Sequence, residues 1–120
     1  MKIVLTTSSE TLDGELDKRF GRAPGFLIYD TEQQSCEFVD NNQNLNAAQG
    51  AGIQAAQNII STGAKCLITG NCGPKAFKVL QSAGIKIFST EAVSLQECVE
   101  QFNGGALKEI NGATVESHWS

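Results

Sequence analysis

Apolar residues come in short bursts along this chain, separated by polar or glycine-rich stretches. The first burst, residues 2–6, is too short and too early for a helix and predicts a strand. Residues 7–14 are polar and predict a loop, and residues 16–20 predict one helical turn ahead of Gly21-Arg-Ala-Pro24. Two further strand patterns follow at 25–30 and 36–40, and the polar stretch 31–35 fits a hairpin loop between them. An Asn- and Gln-rich loop at 41–46 leads through Ala47-Ala-Gln-Gly-Ala-Gly52 into a helix over 52–61. Ile53, Ala56, Ile59 and Ile60 form its apolar stripe, and Gly63 stops it.

The second half alternates more regularly. A strand is predicted at 65–69, then a helix over 74–82 with Phe77, Leu80 and Ala83 inward, closed by Gly84. A short strand at 85–88 follows. Ser94 is placed to cap a third helix, whose Leu95, Cys98, Val99 and Phe102 recur at helical spacing until Gly104-Gly105. Beyond it the pattern is irregular. The order is three strands, then helix, strand, helix, strand, helix. It predicts a single three-layer α/β domain over residues 1–110, with a tail at 111–120. Its five-stranded mixed sheet would begin with an antiparallel hairpin and continue as right-handed βαβ units. The chain shows no internal repeat or linker.

In such sheets ligands sit beyond the carboxyl ends of the strands. Those ends are Thr6-Thr-Ser-Ser9, Gly70-Asn-Cys-Gly73 and Ser89-Thr-Glu91. If the first, fourth and fifth strands are neighbours, the three loops share one rim, with Arg19, Arg22 and the loop at 42–52 closing over it. The stretch Leu67-Ile-Thr-Gly-Asn-Cys-Gly-Pro-Lys75 reads as strand, tight loop and helix start. Pro74 suits the first helical turn because its missing N–H has no partner there. The backbone N–H groups around Gly70, Asn71, Cys72 and Gly73 would converge and favour an anion. Cys72 is expected to be exposed, with the helix start favouring its thiolate as a soft metal ligand. Arg19 and Arg22 bracket Phe20-Gly21, and their planar forks suit multi-atom anions. Gly50-Ala-Gly52 permits close backbone approach before a helix.

Composition narrows the function classes. The formal net charge of −4 and pI of about 4.9 argue against nucleic acid as a partner. There is no apolar run of about 20 residues, as a membrane span needs. The N-terminus lacks the long apolar region and cleavage site of a secretory signal, so a cytoplasmic location is expected. The four cysteines, Cys36, Cys66, Cys72 and Cys98, form no Cys-x-x-Cys pair and are expected as reduced thiols. Cys66 and Cys98 fall on core patterns, and Cys36 reads as structural. The dinucleotide and Walker glycine patterns are absent. The single histidine, His118, lies in the tail, and no carboxylates cluster at strand ends. A triad would have to use that tail residue, and two-metal hydrolysis lacks its clustered carboxylates, which favours a binder or carrier over an enzyme.

Arg19-Phe-Gly-Arg-Ala-Pro24, Phe26-Leu-Ile-Tyr-Asp30, the Gly50-Ala-Gly52 helix start, Leu67 to Phe77 and Gly84-Ile-Lys-Ile87 together resemble the dinitrogenase iron–molybdenum cofactor biosynthesis family. The resemblance runs in matching order over residues 1–110. It implies a ribonuclease-H-like topology without nuclease activity, and a small protein that binds or carries an anionic metal–sulfur cluster. The orange-protein branch of that family, similar in size, holds a molybdenum–copper sulfide cluster non-covalently. The resemblance places Arg19, Arg22, the loop from Asn44 through Gly50 to Gly52, and Gly70, Asn71, Cys72 and Gly73 on a cluster-facing rim. Where many members carry histidine, this chain has Lys18, Arg19, Asn46 and Ala47, which argues against a histidine-ligated iron cluster.

The expectation is a non-catalytic carrier of a molybdenum-containing sulfide cluster, either molybdenum–copper sulfide or an iron–molybdenum cofactor precursor. Its partners would be the cluster and a protein that donates or accepts it, with neither nucleic acid nor membrane. The rival reading is a redox-sensitive interaction module working through an exposed Cys72.

Overall fold

The computed structural model describes residues 1–41 and 51–110. Along them run β1 Lys2–Thr7, a 3₁₀ turn at Phe20–Arg22, β2 Gly25–Asp30, β3 Ser35–Asp40, α1 Ala51–Ser61, β4 Cys66–Thr69, α2 Pro74–Ser82, β5 Lys86–Ser89, α3 Leu95–Asn103 and β6 Lys108–Glu109. The strands form one sheet in the order β3-β2-β1-β4-β5-β6. β1, β4 and β5 are mutually parallel, while β2, β3 and β6 join antiparallel.

The sheet is the middle of three layers, and side-chain alternation builds it. Neighbouring residues of a strand point to opposite faces. Val4, Phe26, Ile28, Leu67 and Ile87 meet Ala55, Ala56 and Ile59 of α1 and Ala76, Phe77 and Leu80 of α2. Ile3, Leu5, Leu27, Tyr29, Cys66 and Ile68 meet Leu95, Cys98 and Val99 of α3, together with Leu16. Both faces are covered, so the central strands read as continuous apolar runs.

The structure departs from the sequence reading in several places. The sheet has six strands, not five, because Lys108–Glu109 pairs with Phe88 and Ser89. Two exposed, charged residues carry no apolar alternation to announce such a strand. The expected helical turn at 16–20 is instead extended. Leu16 forms an isolated bridge with Thr7, and the 3₁₀ turn begins only at Phe20. Ala83 is the exposed C-cap residue of α2, and Ala76 takes an inward position on that helix. β5 starts at Lys86, so Ile85 precedes the strand.

Other local signals translate directly. Pro74 opens α2, and Gly84 follows it at φ +80°, a left-handed conformation that side chains resist. Ser94 Oγ accepts the Glu97 N–H at 3.0 Å and caps α3. The expected tail, including His118, lies outside the described residues. Among the described residues, no helix is long and apolar enough to cross a membrane.

Candidate functional site

The parallel neighbours β1, β4 and β5 bring their carboxyl ends to one rim, as the predicted strand neighbourhood requires. A strap of residues 15–20 crosses that rim. The Asp17 N–H donates to Thr6 O at 2.7 Å, the Asn71 N–H to Lys18 O at 2.8 Å, and the Phe20 N–H to Asn71 O at 3.3 Å. The segment around Arg19 is thereby bridged, backbone to backbone, to the loop after β4.

Buried hydroxyls complete the attachment. Thr6 Oγ1 donates to Asp17 O at 2.5 Å, and Thr7 Oγ1 donates to Glu15 O at 2.6 Å. The Thr6 and Thr69 hydroxyls lie 2.9 Å apart and link β1 to β4. Each buried hydroxyl thus has a partner, which removes the cost of burying it. The sequence shows these threonines at strand ends but not what they hold.

Gly70 makes the close crossing possible. A Cβ there would stand 2.5 Å from Lys18 Cβ and 2.9 Å from Lys18 Cα. Phe20 anchors the strap from the other side. Its buried ring meets Phe26 with centroids 6.1 Å apart, and the 3₁₀ turn packs on α1.

The two arginines have different surroundings. Arg19 sends Nε and Nη2 to the two carboxylate oxygens of Asp17, at 3.2 and 3.0 Å. This forked hydrogen bond and the carboxylate charge raise the Arg19 pKa further. The Arg19 side chain is still 59% exposed, but part of its charge is balanced within the strap. Arg22 closes the 3₁₀ turn on the surface. Lys18, between Asp17 and Arg19, is also exposed and adds a third cation to this segment.

Cys72 is not the exposed thiolate that its position at a helix start suggests. Its side chain is 0% exposed and belongs to the apolar cluster that includes Phe20, Ala55 and Ala76. Burial pushes its thiol up to about 12, so removal of water from the sulfur outweighs the field of the helix start. This corrects the expectation of an exposed Cys72 thiol, the premise of both the soft-ligand role and the redox-module reading. Cys66 and Cys98 are buried as expected, whereas Cys36 is exposed on β3. A thiol-alkylating reagent at mildly alkaline pH should label Cys36 in the native protein and spare Cys72 until denaturant is added. Mass spectrometry of the labelled peptides measures this, and rapid native labelling of Cys72 would contradict its burial.

Gly73 precedes Pro74 as the N-cap of α2, without a side-chain cap, and its carbonyl accepts the Phe77 N–H at 2.9 Å. The Asn71 N–H is committed to Lys18 O and is not among the donors this turn offers a guest. Gly52 lies in the first turn of α1, where a Cβ would stand 3.4 Å from Ala76 Cβ. Its close approach is to α2. Asn44 and Gly50 lie outside the described residues. Among the described residues, no group of three His, Cys, Asp or Glu side chains converges as a metal cage. A cleft of about 370 Å³ runs along α2, lined by Pro74, Lys75, Phe77, Lys78 and Gln81 and by no residue of the strap.

The overall fold recurs in known proteins. The apo form of the orange protein from Desulfovibrio gigas superposes with a TM-score of 0.92 and 40% identity, covering 95% of this chain and 96% of that one. A NifB-like protein of the DUF35 family from Thermotoga gives 0.82 and 33%, covering 95% and 97%. An uncharacterized protein of Methanocaldococcus jannaschii is 30% identical over 113 residues, or 92% of each chain. A profile described as dinitrogenase iron–molybdenum cofactor matches residues 1–105. The chain therefore belongs to the dinitrogenase iron–molybdenum cofactor family.

Proposed function

We propose that this protein is a non-catalytic carrier. Its cargo is a preassembled, negatively charged, molybdenum-containing metal–sulfide cluster, either molybdenum–copper sulfide or an iron–molybdenum cofactor precursor. The observation that carries this reading is that Lys18, Arg19 and Arg22 sit on or beside a strap held backbone to backbone against the loop at 70–73. Family membership and the likeness to the orange protein support it.

Arg22 and Lys18 supply positive charge, and Arg19, oriented by Asp17, presents the remainder of its fork. Gly73 and the first turn of α2 supply the positive end of a helix dipole. Gly70 and Asn71 keep strap and turn together. Asn44 and Gly50 are assigned to the same rim in this proposal, and Gly52 lets α1 approach α2. Cys72 has no ligand role. Sulfide cargo held by charge and N–H donors needs no metal-by-metal ligation. The ribonuclease-H-like wiring implied by the resemblance serves as scaffold only. The protein works in the cytoplasm between a cluster donor and an acceptor.

Anaerobic reconstitution with tetrathiomolybdate, with and without copper, is expected to give a chromophore that stays with the protein through desalting. Failure there, and in a parallel trial with an iron-containing cluster, overturns the reading. Arg22→Ala should speed cluster loss roughly tenfold, the worth of one charge-assisted contact. The loss should quicken with salt, since exposed charges are screened. An unchanged release rate would remove Arg22 from the site.

A further inference from the structure

Asn41 is the polar side chain that the cargo reading leaves unused. It follows β3 directly and is 0% exposed. Burying an amide is costly unless it is hydrogen-bonded, and this one is spent on the arginine turn. Asn41 Nδ2 donates to Ala23 O at 2.9 Å and reaches Gly21 O at 3.5 Å. Its backbone N–H donates to Pro24 O at 2.8 Å. The two carbonyls gripped by the amide belong to the residues on either side of Arg22. Rotation of the backbone at Arg22 would break one or both of these contacts, so the direction in which Arg22 leaves the turn is tied to the end of β3.

We infer that Asn41 is a positioning residue: its side-chain amide clamps the Phe20–Arg22 turn so that Arg22 is presented toward the rim. The inference rests on the carrier reading for its functional meaning but not for its structural one. A donor is needed at Nδ2 because the two carbonyls it meets are acceptors. A carboxylate of the same shape would set negative oxygens against two carbonyl oxygens and beside an anionic cargo. Alanine would leave both carbonyls without this donor.

Two measurements separate the clamp from a merely structural role and from the carrier reading itself. The first is amide hydrogen exchange on the cargo-free protein. In Asn41→Ala, the Arg22 N–H, which donates to Arg19 O at 3.2 Å, should exchange at least about tenfold faster relative to α2 amides, which lie away from Val99. Val99→Ala, a cavity on the opposite face of the sheet, serves as a control of comparable overall destabilisation and should leave that ratio unchanged. An unchanged ratio in Asn41→Ala overturns the clamp, whatever the cargo does.

The second measurement is release of the reconstituted molybdenum–copper sulfide chromophore. Asn41→Ala and Asn41→Asp should lose it at least about threefold faster than Val99→Ala, with a shifted absorption band as the cation moves. Asn41→Ser, which keeps one donor, should fall between and guards against an aspartate variant that fails to fold. Release and spectrum matching Val99→Ala would overturn the positioning role. If the unaltered chain itself takes up no cluster, the carrier reading falls, and the exchange ratio alone decides for or against the clamp.

Discussion

Replacing Gly70 with valine should cost about 2–4 kcal/mol of stability and abolish cluster retention. Overpacking accounts for about 1–3 kcal/mol, and hydrogen bonds lost as the strap lifts add about 1 kcal/mol each. The cause is steric. A Cβ at residue 70 would meet the Cβ, Cγ and Cα of Lys18 at 2.5, 2.8 and 2.9 Å. The flexible end of Lys18 can move aside, but its Cα is fixed by the Asn71 N–H bond to Lys18 O. The strap must therefore rise from the rim. Intrinsic strand preference opposes this effect, because valine favours extended backbone more than glycine does. A loss of stability in urea melts, with faster hydrogen exchange at Asn71, thus isolates the crossing as the reason. Native stability together with native retention in Gly70→Val would show that the strap does not press on the turn.

The sequence exposes what depends on neighbours along the chain and hides what depends on neighbours across it. The bounds of α2 are legible because Pro74 can start a helix, Gly84 can end one, and the apolar residues between recur on one face. The cap of α3 is legible for a similar reason, since Ser94 and Glu97 meet within one turn. Cys72 shows the opposite case. Its local context is a helix start, which favours a thiolate, yet Phe20 and Ala76 share its apolar cluster from other elements and make it a core residue.

Asp17 and Arg19 show how one wrong period conceals a second fact. Read as helix, residues two apart point away from each other. In extended backbone, positions i and i+2 lie on one face, where this pair forms its fork. The extended state comes from Thr6, Thr7 and Asn71, which pair with the strap from distant parts of the chain. That the loops after β1, β4 and β5 share one rim is legible, because parallel strands end on a common side.

Truncating Phe20 to alanine should be more severe than any surface change in the strap, at about 3–5 kcal/mol. That is a large share of the 5–15 kcal/mol that typically holds a domain together. The ring is buried against Phe26 at 6.1 Å, inside the cluster shared by α1 and α2. The Phe20 N–H, moreover, is one of the bonds joining strap to turn. Phe20→Leu keeps most of that volume and should cost less than about 1.5 kcal/mol while still retaining cluster. Denaturant midpoints measure both, and an alanine variant within about 1 kcal/mol of the parent would deny the ring its anchoring role. The two perturbations also test each other. Phe20 and Gly70 act on opposite sides of the same strap, and a strap already lifted by one substitution has little left to lose to the other. The double variant should therefore be less destabilised than the two single costs combined, by about 0.5–3 kcal/mol as coupled neighbours show. Simple additivity would mean that the ring and the glycine support separate structures, and that residues 15–20 do not move as one piece.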